Sequence, residues 1–111
     1  MLNRFPFGPP SSSRPGVELR EADFTAFGAD RVPFEGGRFT LEPGAVSKPD
    51  THQVSECWMI AQGSGLLTYD GADYPVTTGE YLFFEPQKTH FIHNDGSTPL
   101  VIHTVWWLEQ E

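Results

Sequence analysis

Basic residues are scarce in this chain. Seven Lys and Arg stand against fifteen Asp and Glu among 111 residues, a formal charge of −8. That balance argues against nucleic acid as a partner, because phosphate backbones are held by clustered Lys and Arg. It argues equally against an anionic membrane surface. Cysteine is nearly absent: Cys57 alone cannot form an internal disulfide, and it fits a reducing compartment. No apolar run approaches the roughly 20 residues of a transmembrane helix. Residues 1–16, MLNRFPFGPPSSSRPG, hold no apolar signal-peptide core. A cytoplasmic protein is expected. No window carries a sustained helical stripe of apolar residues.

Aromatic residues are plentiful, with nine Phe, three Tyr and three Trp. They give bulk to the one core that a chain this short can bury. Residues 1–16 are rich in Pro, Ser and Gly and read as a flexible tail, with Phe5 and Phe7 as anchors to a partner subunit in the alternative. From Val17 the apolar period is two. Strands are expected at 17–20, 38–42, 56–61, 66–70, 74–76, 81–85, 90–93 and 100–107. Between 21 and 37 lies a poorly patterned connection closed by Gly36-Gly37. Pro43-Gly44, Asp70-Gly71 and Asn94-Asp95-Gly96 mark turns, and Asp70-Gly71 is a strong hairpin signal. Short strands separated by such turns predict an all-β antiparallel sandwich or barrel.

Two stretches carry chemistry. The first, Gly44 to Gly63, is GAVSKPDTHQVSECWMIAQG, and it places Asp50, His52 and Glu56 within seven residues. Side chains alternate across a strand, so Asp50 and His52 share one side, and Glu56 can return to it from the next strand. The second, Gly79 to Asn94, is GEYLFFEPQKTHFIHN, and it brings His90 from a distant strand. Two imidazoles with one or two carboxylates suit a single divalent ion, Fe, Mn or Zn. By itself such a set is weak, since polar residues at strand ends are usually solvated.

The spacing of the two stretches resembles that of the cupin superfamily. The first cupin motif is G, five residues, H-x-H, three or four residues, E, six residues, G; Gly44 to Gly63 matches it, with Asp50 where the first His belongs. The second is G, five residues, P-x-G, two residues, H, three residues, N. Gly79, His90 and Asn94 keep its overall spacing, while Pro86 sits one place late and Gln87 replaces the inner glycine. The resemblance implies a double-stranded β-helix, or jelly-roll barrel, over 17–111 as a single domain. It also implies a metal held by Asp50, His52, Glu56 and His90. Asp is shorter than His, so Asp50 is expected either as a direct ligand or as an acceptor beside the site.

Parity assigns further residues. Trp58 and Ile60 share the face of Glu56, and Ile92 that of His90, so all three are expected toward the interior and the substrate pocket. Arg38 is expected as the interior cation. His103 is expected either in the core or facing the cavity as a proton carrier, with Asp50 the other candidate for that role. Cys57 has the opposite parity and reads as packing. Trp106 and Trp107 must point to opposite faces, so one should seek cover from a second subunit; a homodimer is expected, as the resemblance also implies. The function expected is metal-dependent Lewis-acid chemistry (isomerase, cyclase or lyase type) on a small, partly apolar or aromatic molecule. The alternatives are a non-haem iron dioxygenase and a ligand-binding module without turnover.

Overall fold

The computed structural model describes residues 2–27 and 32–108. It contains eight strands: β1 (Val17–Glu21), β2 (Glu35–Leu41), β3 (Ser55–Gln62), β4 (Ser64–Tyr69), β5 (Ala72–Thr77), β6 (Tyr81–Phe84), β7 (His90–His93) and β8 (Leu100–Trp107). A single 3-10 turn, Phe24–Phe27, interrupts them, and no α-helix occurs among the described residues. No described helix is long and apolar enough to cross a membrane. The strands form two antiparallel sheets, ordered β1-β2-β8-β3-β6 and β5-β4-β7, which face each other as a jelly roll.

The expected strands are all present, and most differ from expectation by a residue or two at their ends. The exception is β2, which begins at Glu35 and runs through the glycine pair that the sequence pattern assigns to a turn. These glycines serve close packing. A Cβ on Gly36 would lie 2.6 Å from the Thr104 carbonyl oxygen, and one on Gly37 would lie 2.5 Å from that of Arg20. Only glycine lets the three backbones approach this way. Asp70-Gly71 makes the β4–β5 hairpin, both with positive φ (49° and 83°), as a two-residue turn of this kind requires.

Segment 44–50 extends the smaller sheet beyond β7. Gly44 N–H donates to the Asn94 carbonyl at 2.8 Å, Ser47 N–H to that of Ile92 at 2.9 Å, and Asp50 N–H to that of His90 at 3.0 Å. The Ser47 hydroxyl accepts the Ile92 N–H at 2.9 Å. In this way the first chemistry-bearing stretch is laced alongside the second.

Residues 5–13, expected as part of a free tail, instead lie against the barrel. Isolated bridges join Phe7 to Ala22 and Ser11 to Leu19. Phe5 packs edge-on against Phe24 at 4.8 Å, and the Arg38 guanidinium sits 4.7 Å from the centre of the Phe7 ring. The arm thus covers the β1 edge, which would otherwise present unpaired backbone groups.

Alternation sorts the larger sheet into two faces. Leu41, Phe39, Trp58, Ile60, Phe84, Leu100 and Ile102 are buried between the sheets, joined by Val17, Leu67, Val76 and Ile92. Arg38, Cys57, Met59, Tyr81, Phe83, His103 and Val105 alternate with them and point outward.

Candidate metal centre

Four elements bring the expected ligands together. Asp50 ends the segment laced to β7, His52 follows in the loop to β3, Glu56 stands second in β3, and His90 opens β7. The Gln87 N–H holds the His52 carbonyl at 2.8 Å, so the turn before β7 also fixes the loop carrying His52. Gln87 adopts φ of 66°, the left-handed conformation that glycine favours. The residue differs from the motif, but the backbone keeps the glycine shape.

His52 Nε2 and His90 Nε2 lie 3.0 and 3.1 Å from one atom, Glu56 Oε1. His52 Nδ1 lies 3.0 Å from the Val54 carbonyl oxygen, and His90 Nδ1 lies 3.3 Å from that of Lys88. A carbonyl only accepts, so Nδ1 carries the proton in both rings. In neutral rings both Nε2 lone pairs then face a carboxylate. Such a set of acceptors requires positive charge among them, either protons on the two rings or one cation. Bonds of about 2.1 Å to a common ion would put two donor atoms about 3.0 Å apart at octahedral angles and about 3.4 Å apart at tetrahedral ones, so separations of 3.0 and 3.1 Å lie at the octahedral end. One ligand atom each from Asp50, His52 and His90 also lie within 4.8 Å of one another. The residues fit a divalent ion.

The surroundings hold the ligands still. Thr104 Oγ1 donates to Glu56 Oε2, engaging the oxygen turned away from the imidazoles. Phe84 stacks on the His90 ring (4.4 Å, 11°), and Trp58 meets that ring edge-on at 5.4 Å. Burial pushes the Glu56 carboxyl up. With protonated rings and no ion between them, hydrogen bonds from His90, Thr104 and His52, with the charge of His90, outweigh burial and hold it below the ordinary value of 4.5. Burial and the neighbouring Glu56 charge push the Cys57 thiol up, which does not suit nucleophilic attack; the side chain is half-buried on the outer face, not packed in the core as expected.

These groups line a cavity of about 530 Å³. Its apolar wall includes Val17, Leu19, Phe39, Val54, Trp58 and Trp106, and Ser13 of the N-terminal arm closes one side. Of the residues expected in the pocket, Trp58 is on this wall. Ile60 and Ile92 are fully packed in the core, because parity fixes the face a residue takes but not its depth along the barrel. Arg38 is not inside. Its neighbour Phe39 takes the inward position, and Arg38 lies on the outer face under Phe7. The cation on the cavity wall is Lys48. His103 is likewise exposed on the outer face, in register with Arg38 and Met59, so it sits neither in the core nor in the cavity. Thr104 is the residue overlooked. It is the inward polar position of an apolar strand, a signal masked by the adjacent histidine.

Residues 37–107 match the model of the Cupin domain family. The chain belongs to the cupin superfamily. A structure from Thermotoga maritima, described as a predicted oxalate decarboxylase, superposes with a TM-score of 0.78. It is 25% identical over 98% of this chain and 100% of its own. A cupin described as RmlC-like, from Shewanella frigidimarina, gives a TM-score of 0.76 at 17% identity, covering 99% of this chain and 95% of its own. Among curated proteins, the mannose-1-phosphate guanylyltransferase of Klebsiella pneumoniae is 31% identical over 70 residues. That match takes in 62% of this cupin and only 15% of the much longer relative.

Proposed function

We propose that this cupin is a metal-dependent enzyme that acts on a small, partly apolar or aromatic molecule by Lewis-acid chemistry, of the isomerase, cyclase or lyase type. The observation that carries this reading is the pair of imidazoles, each with Nδ1 held by a carbonyl, turning Nε2 to Glu56 in the wall of a largely apolar cavity. His52, Glu56 and His90 would hold one divalent ion, Fe, Mn or Zn, with Asp50 a fourth ligand or an acceptor beside it. When bound, that ion supplies a Lewis acid for an oxygen of the substrate.

The chain's own groups do the rest. The aromatic and aliphatic wall orients an apolar body and excludes water, in a cavity sized for a small molecule. Thr104 keeps Glu56 turned toward the imidazoles. Where it is not itself a ligand, Asp50, exposed and close to both rings, would take a proton from the substrate and return it. A single lysine on the wall does not suit a highly phosphorylated ligand. Nor does the apolar wall suit oxalate, which has two carboxylates and no apolar surface, so the description of the Thermotoga relative is not extended to this chain.

A non-haem iron dioxygenase is the second reading, favoured by the set of two His and one carboxylate. Asp50 weighs against it, because a base beside the site serves proton transfer and dioxygen chemistry does not need one. The test is a screen of small aromatic and carbonyl compounds for metal-dependent turnover, repeated without oxygen. Undiminished turnover under strict anaerobiosis is expected. Oxygen uptake matched one-to-one to product would replace this reading with the dioxygenase.

A further inference from the structure

The polar side chains on the cavity wall fall into two sets. His52, His90 and Glu56 engage one another, Thr104 donates to Glu56, and the Ser47 hydroxyl accepts the Ile92 N–H. Ser13, Glu21, Lys48 and Asp50 also line the cavity, and among the described residues their side chains form no hydrogen bond or ion pair. Lys48 is the one Lys or Arg on the wall. Of the other cations, Arg20 pairs with Glu18, Lys88 with Asp70, and Arg38 lies under Phe7. Lys48 stands on fixed backbone. Ser47 before it bonds to Ile92, Asp50 after it exchanges two bonds of 3.0 Å with His90, and Pro49 restricts the chain between them. Its side chain is exposed, which places it at the mouth of the cavity. A lysine that only solvates a surface needs no ligand, but this one borders an apolar wall and stands two residues from Asp50 without pairing with it.

We infer that Lys48 selects a small monocarboxylic acid with an apolar or aromatic body, which rests on the cavity being the substrate site proposed above. The carboxylate pairs with Lys48 at the mouth, and the body lies inward on Val17, Leu19, Phe39 and Trp58. Charge sets the class. One ammonium matches one carboxylate, whereas a phosphate monoester carries about −1.5 to −2. A second anionic group on the ligand would meet Glu21 and Asp50, carboxylates of the same wall. At a formal charge of −8 the chain repels anions at long range, so a cation at the entrance is what lets a carboxylate approach. Lys48 also decides which end of the molecule enters. With the carboxylate held at the mouth, the opposite end points toward the imidazoles. Lys48 is therefore a specificity-determining residue, and it takes no part in moving the proton.

Phenylacetate and phenylacetamide serve as probes, because they share one body and differ by one charge. Their binding to the whole chain is followed by NMR chemical-shift titration, on protein as purified and again after chelation. Phenylacetate should bind about fivefold more tightly than the amide in both, the upper range for an exposed ion pair. Lys48→Gln should reduce that preference to less than about twofold, Lys48→Arg should keep it, and Lys48→Glu should reverse it. The side chain is exposed, so all three variants should fold as the wild type does. Equal binding of the two probes by the wild type overturns the inference, as does no binding of phenylacetate at millimolar concentration. So does a preference that survives Lys48→Gln, or one that vanishes on chelation, which would put the carboxylate on an ion instead. Metal affinity, measured separately by chelator competition, should fall in none of the variants. A chain that binds no divalent ion yet keeps the preference that depends on Lys48 would remove the Lewis-acid reading and leave the monocarboxylate site standing.

Discussion

At His52 and His90, the nitrogen remote from Glu56 is held by a backbone carbonyl, so each ring can offer only Nε2 to an ion. Replacing either ring would therefore remove a donor atom that no neighbouring group can supply to an ion. Asp50 is exposed and reaches the group from its edge. His52→Ala should lower affinity for a divalent ion by more than about a hundredfold, and Asp50→Ala by about tenfold or less. Titration against a competing chelator measures both; full metal retention by both variants would remove the assignment. That these residues come together was legible in the sequence, because side chains of a strand alternate and the two stretches keep their spacing. Thr104 was harder to find. Its role depends on which residue of β3 lies across from it, and register between distant strands is not written in either strand alone.

Among the elements, the turn before β7 departs most from its family pattern. Gln87 occupies a left-handed conformation with a full side chain, at a cost of about 1–2 kcal/mol against a right-handed residue. Glycine would relieve that cost but lose about 0.5–1 kcal/mol of chain entropy. Gln87→Gly should therefore leave stability unchanged or raise it by up to about 1.5 kcal/mol, whereas the β-branched Gln87→Val should lower it by about 1 kcal/mol or more. Urea unfolding midpoints separate the two directions. Strand positions followed from period-two patterning almost throughout. β2 escaped because glycine is the usual sign of a turn, and only the crossing backbones of β1 and β8 show why Gly36 and Gly37 belong inside a strand. The arm escaped for a related reason. Its order comes from backbone bridges to β1 and from Phe5 and Phe7 meeting Phe24 and Arg38, and its composition records none of these.

For the whole molecule, the candidate ligands straddle the fold. Glu56 belongs to the larger sheet and His90 to the smaller one, with His52 in the loop between. An ion held by all three would clamp the two sheets to each other and bind only the folded chain. At a free concentration of about 100 times Kd this adds about 2.7 kcal/mol, which in a domain of this size raises Tm by about 10 °C. Thermal scans with Mn, Fe or Zn should show that rise and its reversal by chelator; a Tm unmoved by all three would argue against a shared site.

Between Ser55 and Ile60 the inward side chains carry Glu56, Trp58 and the core, and the outward ones, Cys57 and Met59, are half-buried between Phe83 and Tyr81 of β6 and Val105 and His103 of β8. Such a stretch has no idle positions, so drift over generations has little room in it. In β5, every residue but Val76 is exposed, and most substitutions there should pass unnoticed by selection. Descendants of this gene should diverge fastest along that hairpin and slowest along β3.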